Sequence, residues 1–96
     1  MPKGYVIFTE AIKDAEGMKA YSQATGPSLA GRDFSVLAVD QAPEVLEGEW
    51  HGNQTVILEF DSVEAAREWY TCAEYEAAKP LRHAAADSNA VIVSGL

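Results

Sequence analysis

An acid and a base stand out first. Glu47 lies in the run Glu44-Val45-Leu46-Glu47, bracketed by Pro43 and Gly48, and Arg82 lies in a helical stretch towards the end of the chain. A guanidinium offers a planar fork of donors that matches a substrate carboxylate or enolate, and a partly buried carboxylate can serve as general base. The same two residues also suit a structural ion pair, joining an arm to a helix or one subunit to another. Spacing along the chain does not say whether they meet.

His51 and His83 are the side chains that titrate near neutrality when unperturbed. His83 follows Arg82 and points about 100° around a helix from it. There it suits a general base, an axial ligand were haem bound, or a solvated cap on the helix dipole. His51, in the turn Trp50-His51-Gly52-Asn53, is expected to be exposed. Tyr5, Trp50, Trp69 and Tyr75 carry apolar bodies with polar tips, which suits the lining of a ligand pocket. Trp69 equally fits the buried stripe of its helix, and Trp50 a subunit boundary or the edge of a cleft. Glu10 and Glu59 stand on or beside strands, either as inward acids or as exposed strand ends.

Two histidines with no HxH, HExxH or facial-triad spacing give no metal site. The seven glycines are scattered, so there is no phosphate loop, and no nucleophile-elbow serine is present. No cofactor is expected.

The elements that must position these residues belong to one domain spanning residues 1–96, an ordinary length for a single core. Lys and Arg number 7 against 15 Asp and Glu, giving a net charge of −8, which repels nucleic acid and anionic membrane surfaces. With 48% apolar and 23% charged residues, the composition is globular. No apolar run approaches the roughly 20 residues needed to cross a bilayer. Cys72 is the single cysteine, which excludes an intramolecular disulfide and Cys-rich metal sites. A strand-like run follows Met1-Pro2-Lys3-Gly4 without a signal-peptide pattern, so a cytoplasmic location is expected.

Tyr5–Thr9 is β-branched and aromatic, predicting a strand. Asp14 caps a helix carrying Met18 and Tyr21, which Gly26-Pro27 is expected to interrupt. Strands follow at Phe34–Val39 and Gln54–Phe60, separated by the arm around Glu44–Glu47. Asp61-Ser62-Val63-Glu64 resembles a capping box and opens a helix to about Thr71. A further helical stretch, Ala73–Ala86, is expected to bend or restart at Pro80. Ala90–Ser94 forms the last strand. The order β-α-β-β-α-β predicts an α+β, ferredoxin-like sandwich with an antiparallel sheet.

These strands do not alternate apolar and polar residues, as a half-exposed sheet would. Tyr5 and Ile7 oppose Val6 and Phe8; Phe34, Val36 and Ala38 oppose Leu37 and Val39; Val91 and Val93 oppose Ile92. Helices cover one face only, so the other is expected to pack face to face against a second copy, at about 1.5–3 kcal/mol per buried side chain.

The combination Val45-Leu46-Glu47-Gly48-Glu49-Trp50, Glu59-Phe60-Asp61-Ser62-Val63-Glu64-Ala65-Ala66-Arg67-Glu68-Trp69-Tyr70 and Glu74-Tyr75-Glu76-Ala77-Ala78-Lys79-Pro80-Leu81-Arg82 resembles the domain of unknown function 1330 family, within the dimeric α+β barrel superfamily. The resemblance implies a ferredoxin-like protomer whose sheets pair into a homodimeric barrel, with Glu47 matching the family's acid and Arg82 its base. It implies no defined activity. Relatives across the superfamily include cofactor-independent monooxygenases, isomerases, haem-binding enzymes and ligand sensors. Two functions therefore stand: a cofactor-free enzyme acting on a small anionic or carbonyl-containing molecule in a cleft between sheet and helices, and a non-catalytic ligand-binding dimer using the same cleft.

Overall fold

A computed structural model describes residues 2–96. The elements are β1 (Gly4–Ile12), α1 (Ala15–Leu29), β2 (Phe34–Asp40), β3 (Gln54–Phe60), α2 (Val63–Thr71), α3 (Ala73–Ala85) and β4 (Ala86–Ser94). The sheet order is β2-β3-β1-β4, with every neighbouring pair antiparallel. β1 and β2 thus run parallel with β3 inserted between them, the ferredoxin-like α+β arrangement the sequence predicts.

The helix starts follow from side-chain capping. Asp14 Oδ1 accepts the Gly17 amide at 3.1 Å, and Ser62 Oγ accepts the Ala65 amide at 3.0 Å. Because Ser62 rather than Asp61 is the cap, Glu64 falls at the second helical position. It cannot make the reciprocal bond that a capping box requires of the third.

The two expected proline interruptions do not occur. α1 continues through Pro27 to Leu29, and α3 continues through Pro80 to Ala85. The carbonyls left without a donor belong to Gln23 and Glu76, both exposed, so water can satisfy them. The break between α2 and α3 falls instead at Cys72, whose ψ of 156° is extended.

The first and last strands are also longer than expected. β1 runs on to Ile12 and β4 begins at Ala86, because Glu10 pairs with Ser88 and Ile12 with Ala86. Ladder bonds here prevail over the turn preference of Asp87, Ser88 and Asn89. On β2, Val36 pairs with Leu58 and Ala38 with Ile57, leaving Leu37 as an extra residue in a bulge. The simple alternation expected for β2 is therefore broken: Val36 and Val39 share the face of Leu58 and Val56, while Ala38 turns to the other.

Helices cover one face of the sheet. Val6, Phe8, Leu58 and Phe60 meet Met18, Ala66, Trp69, Tyr75 and Ala78 in a single core. The principal extents of 32 × 31 × 16 Å leave a thickness for one sheet and one helix layer. On the uncovered face the register aligns Ala38, Ile57, Ile7 and Val91 in a row across all four strands. Val91, on an edge strand, is 51% exposed.

Candidate functional site between the sheet and the helices

The strand register carries polar residues into this apolar layer at one end. Val6, Phe8 and Glu10 share a face of β1, and Glu10 pairs with Gln54 at the start of β3. Glu10 is only 2% exposed. Its Oε1 accepts a hydrogen bond from Gln54 Nε2 at 2.8 Å, and Gln41 Nε2 donates to Gln54 Oε1 at 3.3 Å. The ion pairs among the described residues are Lys3–Asp61, Lys13–Asp87 and Lys79–Glu76, so no base is paired with this buried acid.

The backbone at Glu10 is clamped as well. Its carbonyl accepts the Asn53 amide at 2.8 Å, and Asn53 Oδ1 accepts the Ile12 amide at 3.1 Å. Gly52 fits against this point with φ +80°; a Cβ there would lie 2.4 Å from the Glu10 carbonyl. Residues at both ends of the arm, Gln41 on one side and Gly52 to Gln54 on the other, therefore fix the acid's position.

A cavity of about 440 Å³ opens beside Glu10, with Met18 and Tyr21 of α1, Phe8 and Leu58 of the sheet, and Trp69 of α2 among its walls. None of the described residues lining it is basic. The Leu37 bulge brings both Val36 and Val39 to its rim, beside Gln41. Trp69 is fully buried, stacked on Phe60 at 5.4 Å and edge-on to Phe8 at 6.4 Å. Its indole N–H donates to Ser28 Oγ at 2.9 Å, which leaves the ring as an apolar wall.

Tyr21 presents a phenol to the same cavity. Its hydroxyl lies 2.6 Å from that of Tyr75 on α3, and burial raises the pKa of both above the ordinary tyrosine value. Both stay protonated at neutral pH. Arg82, 2% exposed, packs its guanidinium 4.9 Å from the centre of the Phe8 ring and donates to Ser88 Oγ. Burial opposes its charge, but the neighbouring Tyr75 and Tyr21 oxygens more than compensate and raise its pKa.

Of the residues singled out from sequence, Arg82, Trp69 and Tyr75 come together in this layer, although Arg82 and Tyr75 stand outside the cavity's lining. His83 is exposed in the last turn of α3, its Nε2 3.5 Å from Arg82 Nη2. Glu47, Trp50 and Tyr5 lie elsewhere. Glu47 and Trp50 border a groove of about 420 Å³ with Ala38, Thr55 and Ile57, on the uncovered side of the sheet. Trp50 Nε1 donates to Thr55 Oγ1 at 2.9 Å, and Tyr5 shares the face of Ile7. Whether Glu47 and Arg82 meet, which the sequence left open, is answered by the fold: within the chain they do not, because the sheet stands between them. His51 is exposed, as expected, and bonds the Asp87 carbonyl at 2.9 Å.

Glu10, Gln54 and Tyr21 complete the site; sequence reasoning left Glu10 open between an inward acid and an exposed strand end, and placed neither Gln54 nor Tyr21 there. The available signal was phase: Glu10 continues the Val6, Phe8 series by two residues. Among the described residues no group of His, Cys, Asp and Glu is arranged to hold a metal ion, and no helix is long and apolar enough to cross a membrane.

Together, the antiparallel sheet and the single helix layer define a ferredoxin-like α+β protein. The chain belongs to the domain of unknown function DUF1330 family, whose model matches residues 3–96. The fold is similar to that of a protein of unknown function from Rhodopseudomonas palustris, with TM-score 0.80 and 23% identity, covering 99% of this chain and 83% of that one. It is also similar to SnoaB, a cofactor-independent oxygenase from Streptomyces nogalater, with TM-score 0.69 and 10% identity over 100% and 95% of the two chains. A dimeric ferredoxin-like protein of unknown function from Thermobifida fusca gives TM-score 0.62 and 13% identity over 97% and 91%. No curated protein matches the sequence.

Proposed function

We propose that the chain is a single-domain, cytoplasmic homodimer that binds a small neutral carbonyl compound between sheet and helices and moves a proton on it without a cofactor. The observation that carries this reading is Glu10, a buried acid in no ion pair among the described residues, at the wall of an apolar cavity. A carboxyl group so placed can exchange a proton with a bound ligand, and water exclusion strengthens its interaction with that ligand. An anionic ligand, the other class suggested by sequence, would face this carboxylate with no lining base to offset it. A neutral carbonyl compound avoids that repulsion.

In the proposed step, a Glu10 oxygen takes a hydrogen from the carbon beside the carbonyl. The C–H electron pair moves into the new C=C bond, and the carbonyl π pair moves onto oxygen, giving an enolate. Return of the proton to the same carbon completes exchange, and to a conjugated carbon completes isomerisation. The oxygenase description of SnoaB, of similar fold, accords with chemistry that needs no bound cofactor.

The dimer reading rests on the apolar row Ala38, Ile57, Ile7 and Val91 and on the arm beside it, where Leu46 is 84% exposed. A second copy packed on this face would cover both. Tyr5, Glu47 and Trp50 then belong to the subunit boundary. The Thermobifida fusca protein of similar fold is dimeric, which supports a dimer here.

The test is hydrogen exchange at C1 of 2-tetralone in deuterated buffer, followed by proton NMR. Exchange faster than buffer alone, lost in Glu10→Gln, is expected. Saturable binding with no acceleration would support the non-catalytic ligand-binding reading instead.

A further inference from the structure

Gln54 carries a buried amide whose orientation its neighbours dictate. It is 8% exposed at the start of β3 and lines the cavity. Glu10, its register partner on β1, lies to one side, and Gln41, just beyond the end of β2, lies to the other. In the form that takes up a proton Glu10 is a carboxylate, which only accepts. Gln54 must then turn its NH2 towards Glu10 and its oxygen towards Gln41. Both contacts run that way: Gln54 Nε2 donates to Glu10 Oε1 at 2.8 Å, and Gln41 Nε2 donates to Gln54 Oε1 at 3.3 Å. A flipped amide would set its oxygen against the carboxylate.

One hydrogen of this amide is unspent. A side-chain amide nitrogen carries two N–H bonds in one plane. One goes sideways to Glu10, and the other meets no acceptor among the described residues. Glu10 Oε2 likewise meets no donor among them, while Oε1 is held by Gln54. A free N–H and a free carboxylate oxygen thus stand side by side at one end of the cavity. Tyr21 differs, because its hydroxyl lies 2.6 Å from that of Tyr75 and either phenol can be the donor.

The sheet register sets what lies next to this pair. Glu10, Gln54 and Gln41 form a polar file across the ends of β1, β3 and β2. The next row on the same face, Phe8, Val56 and Val39, is wholly apolar.

The geometry points to Gln54 as the residue that receives the ligand's carbonyl oxygen, on its second Nε2 hydrogen, with Gln41 as a positioning residue that keeps the amide turned. This rests on the carbonyl reading above and deepens it. Glu10 Oε2 faces the carbon that gives up hydrogen, and Gln54 faces the oxygen on the adjoining carbon. A hydrogen bond that strengthens as the enolate forms lowers the barrier to forming it. The site therefore selects a carbonyl at one edge of an apolar body. A polar group beyond that edge would lie on the apolar row without a partner, at a cost in binding.

The experiment uses 2-tetralone labelled with carbon-13 at the carbonyl and reads the bound C=O stretch by infrared difference spectroscopy. In the unaltered protein the stretch lies at lower frequency than in an apolar solvent. Gln54→Met, of similar length and without a donor, returns it to the apolar-solvent position and weakens binding by about tenfold, the loss of one good hydrogen bond. Gln41→Met, at an exposed position, keeps binding and removes part of the frequency shift. Tyr21→Phe leaves the stretch in place. Proton NMR of the unaltered protein with nitrogen-15 glutamine keeps the test valid should Gln54→Met not fold. One of the two Gln54 Nε2 hydrogens then moves downfield as the ketone binds, while the exposed Gln23 pair does not move. A bound stretch unmoved by Gln54→Met, or bound ketone with both Gln54 Nε2 hydrogens unmoved, overturns the assignment of Gln54 and leaves the cavity reading standing. A stretch returned to the apolar-solvent position by Tyr21→Phe does the same. An absence of 2-tetralone binding to the unaltered protein overturns both.

Discussion

Glu10 and Gln54 face each other across the β1–β3 ladder, and the Gln54 amide donates to the Glu10 carboxylate at 2.8 Å. The relationship joins register to chemistry, because the pairing that aligns the central strands also supplies the buried acid with its one donor. Gln54→Leu keeps the volume but leaves a carboxylate oxygen short of a hydrogen bond, at an expected cost of about 1.5–3 kcal/mol in denaturant unfolding at neutral pH. Glu10→Gln keeps an acceptor opposite Gln54 and is expected to cost less. A Gln54→Leu variant as stable as the unaltered protein would contradict the pairing.

Gly52 holds the same acid from the backbone side. Gly52→Ala must accept φ +80° and a Cβ 2.4 Å from the Glu10 carbonyl, so the 52–54 turn has to shift. The strained backbone alone is worth about 1–3 kcal/mol. The expected result is a lowered Tm together with weaker ligand binding. Gly26→Ala, in open space on α1, should leave both unchanged or slightly improved.

The tyrosine pair predicts a particular alkaline limit. Burial raises both folded pKa values above the unfolded value near 10. Above about pH 10 the unfolded chain releases tyrosine protons that the folded chain retains, so stability falls as pH rises. Below that pH the contribution is fully present. Tyr75→Phe and Tyr21→Phe should each flatten the alkaline decline in denaturant midpoints, and phenolate absorbance from Tyr75 should appear only with unfolding.

The uncovered sheet face makes a separate prediction. Val91 is exposed on the edge strand β4 and stands beside Ile7 in the apolar row. Val91→Lys should convert the proposed dimer to a monomer in sedimentation velocity while leaving far-UV circular dichroism unchanged. A monomeric unaltered protein would contradict the assembly.

Much of the fold is legible in the sequence because local chemistry marks it. Asp14 and Ser62 announce helix starts, the β-branched runs announce strands, and Gly52-Asn53 announces the turn into β3. The prolines misled because exposure, not sequence, decides whether a missing helix bond can be replaced by water. The Leu37 bulge has no residue signature, yet it redirects Val39 to the cavity rim. The site was less legible for a similar reason. Strand length decides whether Glu10 is a strand end or a core acid, and that length is set by pairing with Ser88 and Gln54. Glu47 and Arg82 attracted attention as opposite charges, but chain spacing does not carry the side of the sheet on which each lies.

In the proposed complex a ligand occupies the cavity between β1 and α1 with its acidic carbon at Glu10. A crystal structure of the protein with 2-tetralone tests it most directly. The predicted result is the ketone enclosed by Phe8, Met18 and Trp69, with C1 in van der Waals contact with a Glu10 oxygen. A ketone seated instead in the groove beside Glu47 and Trp50, with the inner cavity empty of it, would contradict the account.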